Sequence, residues 1–282
     1  MSAAGEVMVA RGGRRRLVRT ALLGVSLAYV GALLLAPVGG ILWAALSPGM
    51  DVVAGTFGQA RVQHAFFLTA VITVITVVVT GVLGVVTSWV LARDDFPGRG
   101  LLNGLVDLPM AISPVIVGLM AVLLFGAGGW FADFFAARGI QIIFALPSMI
   151  IVTIFICIPF VIREVVPVLK EIGVDEEEAA RTLGASGFQS FFKVVLPSIK
   201  WALLYGVGLS TARALGEIGA VLIVSGALEG QTETATLYIF SALEERQDAS
   251  AYIVALTLAA TSIVLLVAIE IFKSKQEKEM TS

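Results

Sequence analysis

The chain has 282 residues, a net charge of −2 at pH 7 and a mean hydropathy of +0.96; 58% of its residues are hydrophobic and 14% charged. Soluble domains carry about 25% charged residues, so the composition excludes an ordinary globular protein, and equally a disordered chain or a disulfide scaffold. Net charge near zero says nothing about partners, and no nucleic-acid partner is expected.

A basic tail, residues 1–19, opens the chain. Residues 1–13 are small and polar and are expected to be disordered, with the arginines after them anchoring to anionic headgroups. Apolar runs follow at 20–46, 66–92, 101–125, 142–162, 201–224 and 251–272. Each reaches the roughly 20 residues that a membrane-crossing helix needs. The first run exceeds the 7–15 residues of a signal-peptide core, so it reads as an uncleaved helix. The Val-, Ile- and Thr-rich second run lacks the alternation of a barrel strand, so it too reads as a helix. The expected fold is all-α and polytopic, with about six transmembrane helices. The first helix and its outside loop form one unit, 20–64; residues 65–272 form the main transmembrane domain, and 273–282 a polar tail.

Lysine and arginine set the orientation. With the N-terminus inside, fifteen fall on inside segments: Arg11, Arg14, Arg15, Arg16, Arg19, Arg93, Arg99, Arg163, Lys170, Arg181, Lys193, Lys200, Lys273, Lys275 and Lys278. Three, Arg61, Arg138 and Arg246, fall outside, and Arg213 lies within a span. Both termini are therefore expected in the cytoplasm.

Cys157 is the single cysteine and His64 the single histidine. They allow neither an intrachain disulfide nor a multi-histidine metal site, and no catalytic or metal-ligating set is expected. In the outside loop 126–141, Trp130, Phe131, Phe134 and Phe135 share a helical face, which suits a short interfacial helix or a partner-docking surface.

The inside loop 164–200 is the longest and most patterned. Asp175 followed by Glu178 suits a helix start, with acids against the dipole, and Gly184 suits a helix end. Ser186 and Gln189 form a capping box, and Phe188, Phe191, Phe192 and Val195 follow at i, i+3, i+4, i+7. Two short helices are expected, which either pack under the membrane domain or face a partner.

Glu178-Ala179-Ala180, with Gly184 four residues on and then Val194, Leu196 and Pro197, resembles the EAA loop. That loop marks permease subunits of binding-protein-dependent ABC importers; Val194 stands where isoleucine is usual. The resemblance extends over about 66–272. Phe96-Pro97-Gly98-Arg99, Asp107-Leu108-Pro109, Pro159-Phe160-Val161, Leu183-Gly184-Ala185-Ser186-Gly187 and Ala212-Arg213-Ala214-Leu215-Gly216-Glu217 are similar to sulfate/thiosulfate permeases. Ser113-Pro114-Val115-Ile116-Val117-Gly118 and Trp201-Ala202-Leu203-Leu204-Tyr205-Gly206-Val207 are similar to their W-type subunit, although Ile218 stands in place of a usual phenylalanine.

The resemblance implies a type I ABC importer permease fold in a bacterial-type inner membrane. It implies an ATPase-coupling loop at 170–198, with Glu178, Ala179, Ala180, Gly184, Leu196 and Pro197 as its docking and turn residues. It implies a T-type permease partner, two copies of an ABC ATPase and a sulfate-binding protein outside. The chain has no Gly-x-x-x-x-Gly-Lys-Ser/Thr loop, so it is not expected to be the ATPase; no cofactor is expected on this chain, and the resemblance assigns ATP and Mg to the partner ATPase. Molybdate/tungstate permeases share the EAA loop and are the alternative. A stand-alone transporter has no need of that loop. A hydrolase built on Ser186 is disfavoured because His64 lies on the opposite side.

Within the membrane, Arg213 and Glu217 stand at i, i+4, suited to one helix face. They read either as a packing salt bridge or as a gate on the anion pathway. Gly208, Ala212, Gly216 and Ala220 form a small-residue ridge beside them. Asp107-Leu108-Pro109 and Ser113-Pro114 interrupt the third span, where Ser113 is placed to cap a helix starting at Pro114 and to aim its positive end at an anion. A plain proline kink is the competing reading, and Pro37, Pro147 and Pro159 are expected kinks.

Overall fold

The computed structural model describes the backbone of residues 3–280 and the side chains of residues 19–33 and 35–271. Its helices, in order, are α1 (Ala3–Leu46), α2 (Met50–Gly58), α3 (Ala60–Arg93), α4 (Arg99–Ala111), α5 (Pro114–Phe125), α6 (Ala132–Ala136) and α7 (Leu146–Ile172). They continue as α8 (Asp175–Thr182), α9 (Gly187–Ser190), α10 (Leu196–Leu215), α11 (Gly219–Ser225), α12 (Ala235–Glu244) and α13 (Asp248–Met280). Among the described residues there is no strand, as expected of an all-α chain. The backbone is already helical at Ala3, within the tail expected to be disordered. The side chains of the tails 1–18 and 272–282, and any anchoring by the arginines there, lie outside the described residues.

Five stretches are long and apolar enough to cross a bilayer: Arg19–Leu46, Ala60–Arg93, Leu146–Ile172, Gly187–Leu215 and Asp248–Ile271. The expected third span is two helices, α4 and α5, bent by 113°. The break has a local cause. A residue before proline is pushed out of the helical region, and Ser113 sits at φ −60°, ψ 136° before Pro114, which begins α5. The Ser113 side chain makes no cap bond; its carbonyl accepts from Ile116 and Val117 instead. Pro147 likewise begins α7 rather than kinking it, while Pro37 and Pro159 lie inside their helices.

Three further boundaries depart from expectation. α7 runs on to Ile172, so the 164–200 segment is mostly helix extending beyond the membrane span. α9 passes through a π-helical stretch, Phe191–Val195, directly into α10, so the second loop helix is the start of a span. The expected fifth span breaks after Leu215 and resumes as α11, so Ala220 belongs to a different helix from Gly208 and Ala212.

α3, α7 and α10 pack against one another at the centre of the bundle, where glycines let backbones approach. A Cβ at Gly206 would lie 2.9 Å from the Val161 Cα, and one at Gly208 would collide with Ile269 of α13. Of the expected ridge, Gly208 is thus a contact point, whereas a Cβ at Gly216 would meet little. α3 shows why its Thr-rich sequence is helical: Thr69, Thr73, Thr76 and Thr80 are buried on one face, and Val74, Val78 and Val82 are exposed on the other. Cys157 is a fully buried small hydrophobe on α7. α1 is exposed around most of its circumference and packs along α13, beside the bundle. α2 bridges the 20–64 unit to the bundle, where Thr56 reaches Ser250 at 3.3 Å.

Candidate functional site

One end of the bundle carries α8 and the α8–α9 turn. Four acids, Asp175 to Glu178, occupy the first turn of α8, where the helix dipole favours negative charge. Val174 rather than Asp175 is the capping position, and no side chain caps it. At the other end the Gly184 N–H donates to Arg181 O (2.9 Å) and the Ala185 N–H to Ala180 O (3.0 Å). This paired closure needs a left-handed residue, and Gly184 supplies it at φ +88°. Ser186 then starts α9: the Gln189 N–H donates to Ser186 Oγ at 3.3 Å, and the Ser186 N–H to Gln189 Oε1 at 3.0 Å. Ser186 is thus committed to a cap, in keeping with its exclusion as a nucleophile.

The aromatic stripe divides. Phe191 packs on Trp89 of α3 (centroids 5.3 Å apart) and Val195 is buried, whereas Phe188 and Phe192 stay exposed and stack on each other at 4.4 Å. The π turn is the reason, because its i→i+5 bonding puts more residues in a turn and so shifts the following residues around the axis. The result is an exposed apolar surface on a polar end of the molecule. Leu183 is 89% exposed and Phe188 75%. Glu178, Ala179, Gly184 and Pro197 are also exposed, and Ala180 and Leu196 are half-buried. Ala180, Leu183, Gly184, Gln189, Lys193 and Val194 line an open groove of about 320 Å³ there. The six residues expected in the coupling loop lie on the α8–α10 segment at one end of the bundle.

Sequence reading missed the anchor of α8. Arg93, the last residue of α3, donates from Nε and Nη2 to Glu177 Oε1 at 3.0 and 2.8 Å. Its Nη1 donates to Leu169 O at 2.6 Å. Nearby, Arg163 of α7 donates to Asp107 of α4 at 2.7 Å. Periodicity shows neither pair, since their members are far apart in sequence.

In the membrane-spanning part, Arg213 Nη1 lies 2.6 Å from Glu217 Oε2. They do not share a helix. α10 ends at Leu215, and Glu217 stands in the break, where its Oε1 accepts from the Ala220 N–H at 2.8 Å and its carbonyl from Thr236 Oγ1 at 2.8 Å. Glu217 thereby caps α11 while it neutralises Arg213. Glu217 is almost fully buried, while 30% of the Arg213 side chain is exposed. Glu217, Thr69, Thr153, Thr234 and Thr236 line a narrow pocket of about 10 Å³. The break at Ser113 lies close by, because a Cβ at Gly219 would sit 3.0 Å from Pro114 Cβ, and Ser113 itself is exposed. The two interrupted spans thus meet at their interruptions.

At the end opposite α8, Trp130, Phe131 and Phe134 are exposed around α6, whereas Phe135 of the same expected face is half-buried against Phe125, with centroids 5.8 Å apart. A second missed cluster joins α3 to the α11–α13 region. Arg61 donates to both oxygens of Glu233 at 2.8 Å, pairs with Glu245 and Glu229 at 3.0 Å, and lies 5.2 Å from the Tyr238 ring. Glu233 is 1% exposed. Removing one partner of a buried pair costs about 3–5 kcal/mol, so Arg61→Ala is expected to lower the thermal unfolding midpoint strongly. Arg61→Gln with Glu233→Gln should lose less than Arg61→Ala alone; equal losses would show that Glu233 does not depend on Arg61. Among the described residues no group of His, Cys, Asp or Glu could hold a metal ion.

Comparison with known proteins agrees with this geometry. The family described as binding-protein-dependent transport system inner membrane component matches residues 84–280. The sulfate transport system permease protein CysW of Synechococcus elongatus is 46% identical over 90% of this chain and 88% of its own length. The CysW protein of Escherichia coli is 41% identical over 87% and 84%, and the CysT protein of Salmonella typhimurium 37% over 91% and 92%. A chain of a bacterial alginate ABC transporter, crystallised with an alginate pentasaccharide-bound periplasmic protein, superposes with a TM-score of 0.76 at 18% identity, covering 92% of this chain and 94% of that one. A fold of broken and unbroken spans around an exposed α8 turn, a family match over most of the chain and relatives above 40% identity converge: the chain belongs to the inner-membrane permease components of binding-protein-dependent ABC transport systems.

Proposed function

We propose that this chain is the W-type permease subunit of an ATP-driven importer of sulfate or thiosulfate. It pairs with a T-type permease to form the anion pathway. Two copies of an ABC ATPase dock below and bind ATP and Mg, and a binding protein delivers the anion from outside. The substrate reading rests on the CysW and CysT relatives, each named as a sulfate transport system permease. The observation that carries the coupling role is the exposed turn of α8 with Gly184 at φ +88°, set against an apolar groove at one end of the bundle. An exposed apolar knob of this kind suits a protein partner. The Lys and Arg distribution supports a cytoplasmic position for this end and for both termini.

Arg213 is the candidate anion contact, since its guanidinium is partly exposed where the two broken spans meet. Glu217 holds it in place, and Ser113 lies beside the same junction.

Substrate-stimulated ATP hydrolysis in liposomes tests this reading. The chain is combined with T-type permease, ATPase and binding protein. Sulfate-loaded binding protein should raise hydrolysis, and omitting this chain should abolish the response. Stimulation by molybdate but not sulfate would move the chain to the molybdate/tungstate class; uptake without any ATPase would end the importer reading. Orientation is checked with an impermeant thiol reagent: a cysteine at Asp51 should react from outside and one at Thr182 should not.

A further inference from the structure

We propose that Arg93 is a positioning residue that carries movement of α8 into the membrane-spanning helix α3, acting through Glu177. The proposal rests on the coupling role of α8 given above. It concerns how a displacement on that exposed turn reaches the bundle.

α8 has one buried side chain, Glu177. The neighbouring Glu178 is exposed, so two adjacent acids of one run face opposite ways. Glu177 accepts both bonds from Arg93 on one oxygen, and the same guanidinium reaches the Leu169 carbonyl. One side chain therefore ties the last turn of α3, the last turn of α7 and the first turn of α8. Both charged side chains are under 10% exposed, so salt screens the pair little and neither charge has water to replace its partner. Apolar packing adds little to this link, since Glu177 is the one buried side chain of α8. Arg93, Leu169, Val194 and Ser198 line the same narrow pocket as Glu177. A short helix held chiefly by one buried ion pair moves with that pair. From Arg93, α3 runs as one helix against α7 and α10, so a shift at its end is passed along its length. Arginine suits the task because its fork bonds the carboxylate and the carbonyl together, which a lysine ammonium at the same position does less well.

The test uses the assembled transporter in liposomes, with basal ATP hydrolysis and its stimulation by sulfate-loaded binding protein measured separately. Arg93→Gln and Glu177→Gln should each assemble, hydrolyse ATP at the basal rate, and lose about tenfold in stimulation, the change a coupling loss of about 1.4 kcal/mol produces. The double variant should be no worse than either single one, since both cut one link. Arg93→Lys should fall between them and the wild type. If basal and stimulated rates fall together in the single variants, the pair only stabilises α8 and the proposal fails. If the single variants do not assemble, the exchanged pair Arg93→Glu with Glu177→Arg decides. Assembly with stimulation restored supports the link, and absence of restored stimulation overturns it. Failure of the coupling reading itself looks different: the wild-type complex would then show no stimulation, and Gly184→Leu would leave ATP-driven uptake unchanged.

Discussion

Gly184→Leu is expected to reduce ATP-driven uptake at least about tenfold while the chain still inserts and folds, the equivalent of losing 1.4 kcal/mol or more of coupling free energy. Two effects act together. The backbone at φ +88° is open to glycine, and a residue with a Cβ held there costs about 1–3 kcal/mol. The leucine side chain also projects into the groove where the ATPase is proposed to dock. Within this chain the substitution meets no obstacle, because a Cβ at Gly184 has nothing within 4 Å. Strain is therefore confined to an exposed turn, and the bundle is spared. Gly184→Asn separates the two effects, since asparagine tolerates the left-handed region better than leucine. It should retain more activity than leucine at equal expression. Uptake assays in proteoliposomes, with membrane insertion measured in parallel, provide the check. Full uptake by Gly184→Leu would remove the coupling assignment.

Arg213→Ala is expected to be the most damaging single change in the spanning region. It leaves Glu217, 3% exposed, as a carboxylate without its cation, and breaking a buried pair costs about 3–5 kcal/mol. Glu217 retains the bond from the Ala220 N–H, so α11 keeps its cap but the break loses its neutralising charge. Arg213→Ala combined with Glu217→Gln should therefore unfold at a higher temperature than Arg213→Ala alone. The double variant also separates the two roles. Recovered stability with absent sulfate uptake identifies Arg213 as a contact for the anion. Recovery of both reduces the pair to packing.

Much of this was legible in the amino-acid order because it depends on neighbours within one turn or one span. Apolar runs long enough for a bilayer announce themselves, since lipid offers the backbone no hydrogen bonds and a helix is the local solution. The capping box of Ser186 and Gln189 and the glycine closure at Gly184 use residues at most five positions apart, and both were placed correctly. The proline at 114 marked the break in the third span for the same reason. The stripe Phe188, Phe191, Phe192 and Val195 was misread because ordinary helical spacing was assumed across a π turn. The Arg213–Glu217 pair was foreseen, but not the end of α10 between its members, because the bonds that hold the break come from Ala220 and from the distant Thr236.

What the sequence alone determined is the apolar medium, the position of the long apolar helices and the location of the α8–α9 turn, each a consequence of local chemistry repeated along the chain. The tertiary structure decided which charges meet. Arg61 finds Glu233 and Arg93 finds Glu177 across separations of 172 and 84 residues, and nothing local to either arginine predicts its partner. In sequence these are an arginine just before an apolar run, a helix-end arginine, an isolated acid between two threonines and one member of an acidic run. Only folding, which takes their water away, makes each depend on the other.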